Sequence, residues 1–484
     1  MKKRNITTTA LLVIAATSIQ AQAARQVPRL VVNIIIDQLT TDHIEKTSDY
    51  FGTEGFKKLM SQGIVYQNAQ YPFTPVDRAS AVCSVMTGTT PYYNGIIGTQ
   101  WLDRNTLRLS GCADDNAYPG VYTTDRTSPK NILTSTLTDE LKIATHGKGI
   151  VYSISKQKDA AILSAGHAAD GALWKDLYNG SWCTSTYYMK SAPEWLTAYN
   201  QQDAVLKKNK TEFQEITELT NLAILCIEKT GMGTDNETDM LNITLDATTN
   251  TQLKKNTSWE EELTKTYINL DRQIADLVAT IEKKVGIGNV VFYITSTGYV
   301  DEPSDEYASY HIPTGVIHIN RTANLLNMYL GALYGSDKYV EGCSRNQIYL
   351  NTKLIEQKRL KYSDILNTSQ SFLLQCEGVR NAHTSESLLK ATNSETIRIR
   401  NGFSPVASGN IIVEVAPGWN LVNDDTQESY HVDARVTHFP IIIYGQGVRA
   451  EKINTPVTTD QIAPTIANDI HIRAPNACSS LPLR

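Results

Sequence analysis

The seven cysteines of this 484-residue chain lie at positions 83, 112, 183, 226, 343, 376 and 478, and no two form a C-x-x-C pair. Zinc ribbons and thioredoxin-type centres need that close spacing, so both are excluded. An oxidising compartment permits one or two disulfides, but the spacing selects no pairing, and buried free thiols are an equal reading. Positive charge is also short: 45 Lys and Arg face 50 Asp and Glu, a formal net charge of -5. That balance argues against nonspecific nucleic-acid binding, which depends on neutralising phosphates. No self-similarity stands out at solenoid or propeller period. Past the N-terminal stretch no run is long and apolar enough to span a bilayer, so a transmembrane chain is not expected.

What is present at the N-terminus reads as a secretion signal. Lys2, Lys3 and Arg4 give a positive start, Ala10 to Ala16 an apolar stretch, and Ala21-Gln22-Ala23 a small-x-small cleavage site. Removal of residues 1–23 takes three cations away and moves the net charge from -5 to -8. No cysteine lies near the cleavage site to carry a lipid. The mature chain, 24–484, is expected in the periplasm or outside the cell. Its composition, 41% hydrophobic and 20% charged, suits a large soluble core.

Leu30 to Ile36 (LVVNIII) is a nearly continuous apolar, β-branched run, as in a strand buried on both faces of a parallel sheet. It ends in Asp37, at the strand end where such sheets place ligands. Glu54 to Gln62 reads as helix, stopped by Gly63. Gly149 to Ser155, Asp239 to Asp246 and Val290 to Thr295 read as further strands. Between the last two, Leu263, Tyr267, Leu270, Ile274, Leu277 and Ile281 recur at helical spacing, with Ser258 and Glu261 as a capping box and Gly286 as the end. Strand, helix, strand predicts a doubly wound, mainly parallel α/β sheet. After Asp301 the pattern becomes charged and turn-rich. A strand at 315–319, a helix at 322–334 and a strand at 347–350 follow, and about 302–410 is expected to be an inserted cap. Ile411 to Val415 and Pro440 to Tyr444 read as strands, and Asp460 to Ala467 as a closing helix.

YPFTPVDRASAVCSVMTGTTP (71–91) looks like a strand-to-helix turn that carries a nucleophile, except that Arg78 stands where the attacking hydroxyl is expected. Together with NIIIDQLTTD (33–42), GFKKLMSQGIVYQNAQYPFTP (55–75), MTGTTPYYNGIIGTQWLDR (86–104), AAILSAGHAADGALW (160–174), TYINLDRQIADLVATIEKKVG (266–286), IIVEVAPGW (411–419) and the segment from FPIIIYGQGV to TTDQIAPTIA (439–467), it resembles the alkaline phosphatase superfamily. The likeness is nearest to secreted single-chain bacterial phosphatases similar to nucleotide pyrophosphatase/phosphodiesterases. The resemblance implies two zinc ions at the carboxyl edge of the sheet, a Thr or Ser nucleophile and phosphate-ester hydrolysis through a covalent phosphoenzyme. Carried over by position, the first metal-binding Asp falls on Asp37, the nucleophile on Arg78 and the phosphoryl-contacting Asn on Thr99. An Asp and a His are expected within Ala247 to Gln252, where the chain reads ATTNTQ. A following Asp-His pair falls on Thr297 and Gly298. The late metal-binding His falls near Ser429, with His431 as a displaced candidate. A Lys-x-Arg phosphate clamp falls near Gln157 and Asp159, with Lys156 or Lys158 as displaced candidates.

The ligand set implied by the resemblance is thus reduced to Asp37, and zinc is expected to be lost. Asp37 is then either a residual metal ligand or a buried acid that needs a cation, and Arg78 is the evident partner. Arg78 has a second reading, as the binder of an anionic ligand. Ser80, two residues past the nucleophile position, has no local base and is not expected to replace it; Cys83 is expected to pack. The expectation is a catalytically degenerate, secreted binding or scaffold module with a protein partner in the cell envelope. The alternative is a metal-dependent phosphate or sulfate ester hydrolase with a rebuilt site.

Overall fold

The computed structural model describes residues 27–206, 212–248, 258–300, 311–431 and 437–483. The expected secretion signal lies outside them, as do residues 249–252 of the ATTNTQ window.

The chain builds one twelve-stranded sheet from strands far apart in sequence. Eight of them matter here: β1 (Leu30–Asp37), β2 (Ile64–Gln70), β3 (Val151–Ser155), β4 (Gly171–Lys175), β5 (Trp182–Ser185), β6 (Asp239–Asp246), β7 (Val290–Ser296) and β8 (Phe439–Gly445). Their order across the sheet is β2-β8-β7-β1-β6-β3-β4-β5. From β7 to β4 every pairing is parallel. β8 runs antiparallel to both its neighbours, and β5 is antiparallel to β4. The expected doubly wound, mainly parallel α/β fold is what the chain adopts. The PIIIY segment is a buried strand as expected, but its direction could not be read locally, because both directions bury the same alternating faces.

β1 sits at the centre, and every one of its residues is buried. Val31 and Ile35 pack into the core on one face; Leu30, Val32, Ile34 and Ile36 pack on the other. The exception is Asn33, whose Nδ2 donates to Asn242 Oδ1 (3.1 Å) directly opposite on β6. Asn242 Nδ2 in turn donates to the Ser164 carbonyl (3.1 Å) on the helix Lys158–Ala165. This polar rung ties the sheet centre to a helix that bears on the site.

The long helix runs Trp259–Val285 and ends at Gly286. Ser258 caps it, accepting from the Glu261 N–H (3.2 Å), while the return half of the predicted capping box is not made. The segment expected as an insertion forms two small sheets of its own. One joins strands 315–318, 419–423 and 428–431; the other joins 340–344, 347–350, 379–384 and 411–415. Ile411–Val415 therefore belongs to the inserted part, and the expected boundary near 410 falls short, because strand partners are chosen by long-range pairing rather than local sequence.

One cap comes from far along the chain. The helix Phe56–Gln62 starts after Gly55, which has no side chain to cap it. Asp271, on the long helix, supplies the carboxylate instead, accepting from Gly52 N (2.8 Å) and Phe56 N (2.7 Å). A Cβ at Gly55 would lie 2.1 Å from Asp271 Oδ1, so glycine is required for this approach. Asp271→Ala is expected to lower stability by about 2 kcal/mol, the upper end for a lost cap. Denaturant unfolding measures it, and a change under about 0.5 kcal/mol, the usual surface level, would mean that Asp271 is not the cap.

Candidate functional site

β1, β6 and β7 end side by side at the carboxyl edge of the sheet, as parallel register requires. Asp37 is the last residue of β1 and stands opposite Asp246, the last of β6. Thr297 follows the end of β7. Two helices begin at the same edge: α1 (Arg78–Thr87), after the turn quoted above, and α2 (Lys158–Ala165). α1 puts Arg78 at its first position and α2 puts Asp159 at its second.

The Arg78 guanidinium lies between two carboxylates. Nε donates to Asp159 Oδ2 (3.1 Å) and Oδ1 (3.3 Å), and Nη2 donates to Oδ1 (3.2 Å). Nη1 reaches Asp37 Oδ2 at 3.4 Å. The pairing of Arg78 with Asp37 expected from sequence is therefore present, but Asp159 is the main partner. Charge explains the arrangement. An acid in the first turn of α2 is favoured by the helix dipole, whereas an arginine in the first turn of α1 opposes it and needs compensation. A carboxylate that meets the guanidinium with two oxygens provides it.

By the resemblance, position 78 belongs to the nucleophile and position 159 lies near the arginine of the phosphate clamp. In the terms of that resemblance, arginine stands where a nucleophile is expected and an acid stands near the expected clamp.

Asp37 is buried and has two further partners. Thr297 Oγ1 donates to its Oδ1 (2.6 Å), and Tyr299 OH donates to its Oδ2 (3.2 Å). Its carboxyl is raised to about 6, chiefly because burial disfavours the charge; Arg78 pulls it down and Asp246 pushes it up. Asp246 accepts from Thr248 N (2.8 Å). It lies one residue before Ala247–Gln252, where the resemblance expects an Asp and a His. The register β1–β6 reveals it, and the sequence signal was the final D of DMLNITLD. Tyr299 carried no sequence signal at all.

The other candidates resolve as follows. Ser80 is buried, donates to Asp77 Oδ1 (2.9 Å) and completes the capping box of α1, so it is not presented for attack. Asp77 also accepts from Thr99 N (2.8 Å) and pairs with Arg345 of the inserted part. Thr99 is thus brought to the site, fixed by its backbone. Cys83 is buried, and burial pushes its thiol up. Lys158 pairs with Asp114 (3.3 Å) and Asp125 (3.1 Å) rather than with the Arg78 cluster. Ser429 is exposed and lines the cavity described below. The side chain of His431 lies outside the described residues.

A two-zinc centre does not fit these residues. Among the described residues, no group of three or more His, Cys, Asp or Glu is placed to hold a metal. The Arg78 guanidinium stands beside the first carboxylate. At Gly298 (φ 70°), where the resemblance expects a ligand histidine, a Cβ would lie 2.6 Å from the Phe439 ring and 2.7 Å from the Tyr71 ring. Aromatic rings have closed over that position.

Above the ion pair is a cavity of about 810 Å³ between the sheet edge and the inserted part. Arg78, Thr99, Tyr299 and Arg345 form its floor, and residues 380–399 and 412–429 contribute its other walls.

The chain matches the family described as type I phosphodiesterase / nucleotide pyrophosphatase over residues 31–438, most of its length. It belongs to that family. Among members and relatives, it is 26% identical to a protein of Myroides odoratus named calcium-transporting ATPase, across 100% of this chain and 99% of the relative. It is 25% identical to alkaline phosphatase PafA of Elizabethkingia meningoseptica, across 96% and 95%. The crystal structure of wild-type PafA superposes with a TM-score of 0.83 at 24% identity, covering 94% of this chain and 98% of that one. The family's alkaline phosphatase-like fold is therefore this chain's fold.

Double-mutant cycles on unfolding free energy test the ion pair. Removing Arg78 as Arg78→Ala strands two buried carboxylates and is expected to cost on the order of 3 kcal/mol. The coupling of Arg78 with Asp159 is expected to exceed its coupling with Asp37, so Asp159→Asn should cost more than Asp37→Asn near neutral pH. Equal couplings, or additive effects for Arg78 and Asp159, would show that the fork does not carry the site.

Proposed function

We propose that this member of the family is a secreted binding module in which an ion pair has replaced the hydrolytic centre. The observation that carries the reading is the Arg78 fork on Asp159 and Asp37, at the place where the family resemblance puts a nucleophile. A guanidinium cannot attack phosphorus. One fixed cation does not replace two metal ions that would hold both the entering and leaving oxygens of a displacement. What persists is a concave cavity of a size typical for small-molecule sites, so a ligand can be held there without being converted. Placement in the periplasm or outside the cell, and a protein partner in the cell envelope, belong to the same proposal. In support, no described helix is long and apolar enough to cross a membrane.

A second reading is a metal-dependent hydrolase of phosphate or sulfate esters with a rebuilt site. Relatives named alkaline phosphatase over nearly the whole chain favour it. So does the side-by-side placement of Asp37 and Asp246, two carboxylates that remain at the sheet edge. Elemental analysis of the purified mature protein, dialysed after incubation with zinc, separates the two, together with turnover of 4-nitrophenyl phosphate and bis(4-nitrophenyl) phosphate. The binding module retains no stoichiometric zinc, and any turnover is unchanged by Asp37→Asn. Two retained zinc ions, with turnover abolished by Asp37→Asn, would establish the hydrolase.

A further inference from the structure

We propose that the cavity binds a small amphiphilic oxoanion, a carboxylate, sulfate or phosphate on an apolar body, and that Arg398 is the residue that receives the charged group. The proposal rests on the binding-module reading and names its ligand class.

The charges around the cavity are nearly all matched within the protein. Arg78 is taken by Asp159 and Asp37, and Arg345 by Asp77. Arg380 lies 3.1 Å from Glu395 and 3.3 Å from Glu414, and His383 lies 2.9 Å from Glu414. Arg398 differs. It lines the same cavity, is half-buried, and pairs with no carboxylate among the described residues. Its one side-chain hydrogen bond runs from Nη2 to the Tyr71 carbonyl (3.3 Å). Its Nε is buried with no acceptor. A guanidinium has five N–H donors, so four are left without an acceptor among the described residues. Burial pulls its pKa down with no neighbouring carboxylate to oppose the effect.

The arginine is also held in place. It lies on the helix Ser394–Asn401 of the inserted part, which docks on the turn before α1. Thr74 N donates to the Arg398 carbonyl (3.1 Å), and Asn401 Nδ2 donates to the Pro72 carbonyl (3.0 Å). A half-buried cation that is fixed but unpaired costs stability unless something compensates it. In a protein of net negative charge that retains acids at this very edge, an unmatched arginine facing a cavity selects an anion. Val76, Ile399, Val415 and Leu421 contribute apolar lining, which suits a ligand with a hydrophobic body rather than a bare ion. A planar guanidinium favours two-oxygen recognition of carboxylate, sulfate or phosphate alike.

Isothermal titration calorimetry of the mature protein with phenylphosphonate, benzenesulfonate and 4-phenylbutyrate tests this. At least one is expected to bind. Arg398→Gln is expected to weaken it about tenfold or more, the loss of one charged hydrogen-bonding pair. Arg398→Lys should lie between, since it keeps the charge and loses the fork, and it remains informative where the glutamine variant fails to fold. Arg126→Gln, remote from the cavity, should bind as wild type. Binding unaffected by both Arg398 substitutions, or lost with Arg78→Ala alone, would overturn the assignment, as would no binding of any probe at about 10 mM. Zinc retention or turnover would count against the binding-module reading and leaves the Arg398 result to be judged by itself.

Discussion

The organisation of the sheet edge depends on one cation among acids that are buried or half-buried. Asp37, Asp159 and Asp246 converge there because parallel strands and the helices that follow them must end at the same edge. Carboxylates this close repel, and burial removes the water that would screen them. Here Arg78 offers one positive charge, given mostly to Asp159, and the Asp37 carboxyl is left raised to about 6. Thr297 and Tyr299 share the rest by donating to Asp37. The centre is thus a hydrogen-bonded network around a salt bridge.

The network extends into the inserted part through Asp77. That residue caps α1, accepts from the Thr99 backbone and pairs with Arg345, so the first turn of α1 is fixed from three directions. With Arg78 at the start of the same helix, the ion pair and the docking of the inserted part share one support. This gives a physical reason for the cavity to be held open. Its floor is braced by contacts that stabilise the fold, and its walls belong to a part with its own hydrophobic core.

Much of the fold was legible in the sequence because burial on both faces leaves a simple mark. LVVNIII, DMLNITLD and VVFYIT could only be central strands, and the period of the long helix was unambiguous. Position-by-position carry-over placed Asp37, Arg78, Thr99 and Thr297 at one edge, and the structure brings them together there. It failed where the signal was relational. Asp246 lies just outside the Ala247–Gln252 stretch, and only its register with Asp37 brings it to the site. Asp159 was read as a lost clamp residue rather than as the partner of Arg78. Arg398 sits in an exposed-looking SETIRIRN helix, in which nothing local distinguishes one arginine from another.

By itself, the sequence determined the class of fold, the strand that carries Asp37 and the arginine at position 78, where the resemblance expects a nucleophile, since these are properties of single segments. Tertiary structure alone decided which acid Arg78 chooses, how far the inserted part extends, which direction β8 runs and which cation is left unpaired. Each of those is a competition between groups distant in the chain, settled by distance and burial. Two arginines with the same charge, Arg78 and Arg398, come to differ for that reason. One meets carboxylates in the folded chain, and the other meets a cavity.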